Sequence, residues 1–377
     1  GWWPNFMIEN KVVLVFYIFT FLTGLPSNLL ACYALLRKVW QKPIPIDILL
    51  LNLTLSDLFL LLFLPFKMVE TAWDGKWILP WSLCHLTNFC FYSSCYISTL
   101  SLTGVSVERY LCTAYPAKYK SRRKPPYAIA ASLFFWLVAC SHCSAIYITE
   151  YHQEALPIQN LTTCYKNFSV AQLQLLLPIR LELCLMLFCL PFLITFFCYV
   201  KVIRILLSMP SAHPQRKKRA VGLAVFTLLN FAICFGPFNI SHIVGFIENA
   251  SPSWRRYAFL LSSFNATLDP AIFYFSSTTI QQAFADWWLS MRSRLSAVVS
   301  CGSLPSCTAP GDKEASAGRL PGSGFSFDQT SAYILTEASF AHKAATLEVR
   351  MLGTLESAGL SSLTKNRWSP MCQPISA

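Results

Sequence analysis

The chain has 377 residues, 54% of them hydrophobic and only 13% charged, with a mean hydropathy of +0.46. Soluble domains carry about 25% charged residues because their surfaces face water, so the composition excludes an ordinary water-soluble enzyme. The net charge of +12 does not point to nucleic acid either, because the basic residues sit in short clusters between apolar runs, where they orient a membrane protein. Seven runs are long enough to cross a bilayer, which takes about 20 apolar residues. In chain order they are residues 12–36, 48–66, 86–107, 127–149, 178–200, 220–247 and 257–284. The first is too long for a cleavable signal peptide. Residues 281–295 read as a short amphipathic helix, with Phe284, Trp287, Trp288, Met291 and Leu295 on the side that suits a membrane interface. From Ser296 onward the chain is rich in Ser, Thr, Gly, Ala and Pro without periodicity, which predicts disorder.

The expected fold is all-α: an outer N-terminus (1–11), a seven-transmembrane bundle (12–280), an interfacial helix (281–295) and a disordered cytoplasmic tail (296–377). With the N-terminus outside, fifteen Lys and Arg fall between the runs on the inner side against six on the outer side, a clear positive-inside bias. The protein is thus expected to be multi-pass, with the lipid bilayer as its solvent and no nucleic-acid partner.

Polar residues inside apolar runs are costly and mark function. Here they are Asn28 in the first run, Asp57 in the second, Glu108-Arg109-Tyr110 ending the third, and Asp269-Pro270 in the seventh, with Trp136, Pro191 and Pro237 in the fourth, fifth and sixth. In that order they resemble the rhodopsin-like G-protein-coupled receptors. A finer resemblance, over residues 12–290, is to the free fatty acid receptors of the short-chain branch. It rests on Phe91-Tyr92-Ser93-Ser94, the stretch 177–183 around Arg180, the stretch 230–237 ending on Pro237, Asn239-Ile240-Ser241-His242 and Leu268-Asp269-Pro270. The resemblance implies a plasma-membrane receptor, not an enzyme, for acetate, propionate and butyrate. It also implies coupling to heterotrimeric G proteins of the Gi/o and Gq classes and arrestin binding through the tail. Cys84 and Cys164 match the cysteines that the family joins as a disulfide.

The charges support a carboxylate site on their own chemistry. Arg180 lies about three turns from Pro191, Arg255 close to four turns from Asp269, His242 five residues after Pro237 and His142 six after Trp136. With the prolines and Trp136 at mid-depth, all four fall in the outer third of the bundle. A guanidinium presents a planar fork that matches a carboxylate bidentately. Arg180 and Glu182, two residues apart, face different sides of a helix. The family places ligand binding on residues matching Arg180, Arg255 and His242, with His142 and Tyr92 nearby; each histidine also fits a hydrogen-bonded core residue. Lys166 stands where relatives typically have an acid, and Phe238 where they commonly have tyrosine.

For signal transmission, the resemblance implies a sodium site at Asp57, Ser98, Asn265 and Asp269, with no other cofactor. It has Arg109 held by Glu108 at rest and Tyr199 lining the cavity that opens toward the G protein. Asp269-Pro270-Ala271-Ile272-Phe273-Tyr274 departs from the usual Asn-Pro-x-x-Tyr, since Phe273 lacks the hydroxyl and Tyr274 comes one residue late. Of six Asn-x-Ser/Thr sequons, Asn52, Asn239 and Asn265 fall inside helices and Asn249 is disfavoured by the Ser251-Pro252 that follows, leaving Asn160 and Asn167 as glycosylation candidates. Cys301 and Cys307 are palmitoylation candidates or free thiols. A proton-coupled carboxylate transporter fits the arginines, but the paired repeats of that class are missing. An intramembrane hydrolase lacks its motifs. A receptor for medium-chain or hydroxy acids remains open.

Overall fold

A computed structural model describes residues 3–122, 124–151, 164, 170–209 and 214–302. Among them every regular element is helical. Two compact units divide the chain near Ser293; of the second, only the helical residues 294–302 are described.

The first pass is α1 (Trp3–Gln41), the second α2 (Pro45–Ala72) and the third α3 (Trp81–Ala114). The short α4 (Pro116–Arg122) leads to the fourth pass, α5 (Pro125–Tyr151). The fifth joins α6 (Val170–Cys184) to α7 (Leu190–Leu207), and the sixth joins α8 (Pro214–Leu229) to α9 (Gly236–Glu248). The seventh is α10 (Arg255–Ser263) followed by α11 (Asn265–Ser276), and α12 (Thr278–Gly302) closes the described chain. Five of these passes are apolar and long enough to cross a membrane by composition. The third is not among them. Its buried face carries Thr87, Ser93, Ser94, Ser98, Thr99, Ser101, Thr103 and Ser106. It packs against α2, α5 and α7 at the centre, and four of the hydroxyls bond back to their own helix: Thr99 to the Cys95 carbonyl (2.8 Å), Ser101 to that of Ile97 (2.7 Å), Thr103 to that of Thr99 (2.9 Å) and Ser106 to that of Thr103 (2.7 Å).

Prolines shape the fifth, sixth and seventh passes. Each removes an N–H and leaves the carbonyl four residues earlier without its helical donor. In the seventh pass Pro270 does this to Ala266, and Asn28 of the first pass supplies the missing donor (2.8 Å). Gly24 lets the two backbones approach, since a Cβ there would meet the same Ala266 oxygen at 3.3 Å. In the fifth and sixth passes the backbone instead widens into a π-helical turn, Leu185–Cys189 and Asn230–Phe235, just before Pro191 and Pro237.

The second, third and fourth passes are pinned together. The Trp136 indole donates to Asn52 Oδ1 (2.8 Å), and the Asn52 amide donates to Ser101 Oγ (2.7 Å). The Cys84–Cys164 disulfide marks one end of the bundle, here the disulfide end. The other, the basic end, holds Lys38 on Asp47 (2.9 Å).

One boundary differs from the sequence reading. The apolar run to residue 284 suggests a single seventh helix, but Ser277 is extended (φ −141°, ψ 126°), so the pass ends at Ser276. Lys38 donates to the Ser277 hydroxyl (3.1 Å) and fixes the corner. Apolarity reports burial, not chain direction, and α12 keeps the same apolar character through the turn. This helix starts three residues earlier than residue 281 and runs on past residue 295.

Candidate functional site

Near the disulfide end a cleft of about 280 Å³, mouth included, is lined by Tyr92, Tyr96, Arg180, Leu183, Phe238, His242 and Arg255. These side chains come from α3, α6, α9 and α10, so four passes build it. None of the seven is acidic. Arg180 is buried, and its Nη1 donates to Ser251 Oγ (2.9 Å) in the loop after the sixth pass. Arg255 Nη1 donates to Ser241 Oγ (3.0 Å) and to His242 Nδ1 (2.8 Å). Its guanidinium lies over the Phe238 ring, 4.6 Å from the centroid, so the ring serves as a cation-binding floor.

A guanidinium never accepts a hydrogen bond, so His242 Nδ1 must carry the lone pair and the imidazole is neutral with its proton on Nε2. That nitrogen meets the Tyr96 hydroxyl (3.3 Å), which in turn reaches Asn239 Oδ1 (3.5 Å). Asn239 donates to the Phe235 carbonyl (2.9 Å), at the end of the π turn in the sixth pass. A directed chain of hydrogen bonds therefore runs from Arg255 into the backbone of that pass.

Four expected ligand residues, Arg180, Arg255, His242 and Tyr92, meet on this cleft. His142 does not. Its Nε2 pairs with Glu182 (3.0 Å) and its Nδ1 lies 2.9 Å from the Val138 carbonyl, away from the lining residues. Glu182 thus faces the fourth pass while Arg180 faces the cleft, as two-residue spacing requires. The pair is 35% and 44% exposed, a setting where ion pairs contribute little. His142→Ala should therefore change ligand potency by less than about fivefold; a larger loss in a dose–response measurement would return His142 to the site. Arg256, next to Arg255, turns away and binds Glu9 of the first pass.

Sequence reading missed Tyr96, although it stands one turn after Tyr92 and so shares its face. It also missed a buried Lys67–Glu70 pair (2.9 Å) in α2, whose ammonium lies 5.5 Å from the Phe259 ring. Phe259 stacks on Phe91 and meets Tyr92 edge-on (5.3 Å), behind the wall of the cleft.

Deeper in the bundle, Asp57 Oδ1 accepts from Asn265 (3.2 Å) and Ser98 (3.4 Å), and Ser98 also bonds Ser56 (2.7 Å). Asp269 Oδ1 accepts from Asn230. The sequence reading did not include Asn230. Two fully buried amide oxygens in this cluster, Asn265 Oδ1 and Asn230 Oδ1, have no donor, and the Asp57 and Asp269 carboxyl groups lie within hydrogen-bonding reach of each other. Among the described residues neither carboxylate forms an ion pair. The donor set fits a small hard cation, which seeks oxygen ligands. No group of three or more His, Cys, Asp or Glu suited to a transition metal occurs among the described residues.

At the basic end the expected Glu108–Arg109 pairing is corrected. Glu108 accepts from Tyr119 of α4, and Arg109 reaches the Ser276 carbonyl (2.7 Å). Helix neighbours diverge around the axis, and the break at Ser277 frees the last carbonyls of α11 for capture. Tyr110 packs edge-on against Phe197 (5.9 Å), and Tyr199 bonds Thr227 of the sixth pass (3.2 Å). Phe273 is buried while Tyr274 is half-exposed, consistent with a hydroxyl one residue late. Cys84 and Cys164 are bonded to each other. Asn160, Lys166, Asn167, Cys307 and the tail after Gly302 lie outside the described residues, as does the side chain of Cys301.

Residues 27–273 match the family model of the 7 transmembrane receptor (rhodopsin family). Free fatty acid receptor 2 of Rattus norvegicus is 50% identical over 297 residues, covering 78% of this chain and 90% of that one. Free fatty acid receptor 2 of Homo sapiens is 47% identical over 309 residues (81% and 93%). Free fatty acid receptor 3 of Mus musculus is 47% identical over 269 residues (71% and 84%). The chain belongs to the free fatty acid receptor family. It is a multi-pass membrane receptor and not an enzyme, and the buried Arg180 and partly buried Arg255 of this receptor converge on a cleft with no acidic lining residue.

Proposed function

We propose that this receptor recognises short-chain fatty acids, with acetate, propionate and butyrate as the ligand class, and activates heterotrimeric G proteins of the Gi/o and Gq classes. The reading rests on Arg180 and Arg255 reaching one cleft with no acidic lining residue. A carboxylate between them gains charge-assisted, forked hydrogen bonds in a water-poor site. Tyr92, Phe238 and Leu183 leave apolar surface for only a short tail. The disulfide end faces the exterior, because disulfides persist in oxidising compartments and the basic loops lie at the opposite end. In the same reading Arg109, Tyr110 and Tyr199 meet the G protein once Arg109 leaves Ser276. Sodium occupies the Asp57–Asp269 cluster, arrestin binds the tail, and α12 lies in the interface on its exposed Trp287 and Trp288.

Ligand size limits affinity. The best small ligands gain about −1.5 kcal/mol per heavy atom, so acetate, with about four, cannot bind more tightly than roughly tens of micromolar. Desolvation of the anion weakens this, and half-maximal responses should fall at about 0.1–1 mM. The test is charge removal at constant shape. In cells expressing the receptor, calcium and cyclic-AMP responses should follow acetate, whereas acetamide and methyl acetate should be silent at about ten times its effective concentration. Equal responses to acetamide would reject carboxylate recognition.

A further inference from the structure

The Asp57–Asp269 cluster is reached by a side chain that none of the expected cation ligands includes. Asn230 is fully buried, comes from the sixth pass, and is the first residue of the π turn before Pro237. Its amide nitrogen donates to Asp269 Oδ1, while its own oxygen has no donor. An amide fixed through its nitrogen to one carboxylate, with a bare oxygen inside a cluster of acceptors, is oriented as a cation ligand. The far side of the same π turn is also held. Phe235 ends it and accepts from Asn239, the last member of the chain Arg255–His242–Tyr96–Asn239.

We propose that Asn230 supplies an oxygen to the cation in the polar core, so that the sixth pass forms one wall of that site. This rests on the cation reading of the cluster given above. A π turn holds one residue more per turn than an α-helix and can shift its register locally. With Asn230 anchored at one edge of the turn and Asn239 beyond the other, cation and carboxylate act on the same few residues of backbone. Two ligands that bias one two-state element must be coupled, and the coupling is reciprocal. The coupling therefore runs through Asn230, not through Asp57 alone.

The experiment uses the full-length receptor purified in detergent, compared in sodium chloride and in N-methylglucamine chloride at equal ionic strength. Sodium should raise the unfolding midpoint of the wild type by about 2–6 °C and shift half-maximal acetate binding by at least about threefold. Asn230→Ala should lose most of both effects while still binding acetate. Asn230→Asp, which keeps a side-chain oxygen at the same place, should retain the sodium-dependent midpoint. Wild-type-sized sodium effects in Asn230→Ala would overturn the role of Asn230 while leaving the cation site standing. Loss in Asn230→Asp equal to that in Asn230→Ala would overturn direct ligation. Absence of any sodium-specific stabilisation in the wild type would overturn both the cation reading and the inference built on it.

Discussion

Arg180→Ala abolishes the response to acetate, propionate and butyrate while the receptor still reaches the cell surface; that is the largest functional effect expected. Truncating one partner of a buried, hydrogen-bonded charge pair costs about 2–5 kcal/mol, which is roughly 30-fold to several thousand-fold in affinity. Starting from about 0.1–1 mM, a loss of that size moves half-saturation to about 3 mM at the least and past about 100 mM over most of the range. Ser251, the hydrogen-bond partner of Arg180, is in a loop and can turn to water, so the bundle itself should survive. Arg180→Lys separates charge from geometry. It keeps a point charge but loses the fork, and should recover only part of the response. Surface labelling together with a dose series checks the prediction, and retained potency in Arg180→Ala would reject the two-arginine site.

Loss of the disulfide should have the largest effect on folding. Cys84 and Cys164 are separated by 80 residues and packed with Trp77. Closing a loop of that length removes about 4–5 kcal/mol of unfolded-chain entropy, comparable with the whole stability of many proteins. Cys84→Ser and Cys164→Ser should each reduce surface delivery severely, and the double variant should be no worse than either single one, because a single bond is lost in all three. Normal delivery of the singles would show that the bond contributes little. A double variant much worse than both singles would show separate roles for the two thiols.

The passes were legible because twenty apolar residues in a row have few other uses, and Arg180, Asp57 and Asp269 stood out because charge inside such a run is costly. What escaped notice had ordinary chemistry and unusual geometry. Tyr96 carried no signal of its own until its neighbours His242 and Asn239 were placed. Asn230 was an amide in an apolar run and carried the same signal as Asn28, yet its importance depends on Asp269 being opposite it. The partner of Arg109 is a main-chain oxygen of Ser276, exposed by a corner at Ser277 that no side-chain pattern announces. For His142 the sequence offered depth but not azimuth, and in the structure its ring pairs with Glu182.

The indole–amide–hydroxyl link of Trp136, Asn52 and Ser101 gives the bundle a stator. Three passes are clamped by it, and both π turns lie outside it, in the fifth and sixth. Tyr92 and Tyr96 of the cleft stand on the clamped side, whereas Arg180, His242 and Arg255 ride on passes that contain a π turn or an interrupted helix. On the carboxylate reading proposed above, an anion drawn between the arginines would pull adjustable elements toward the clamped wall. Work done by a four-atom ligand would then be delivered to the half of the bundle that carries the π turns.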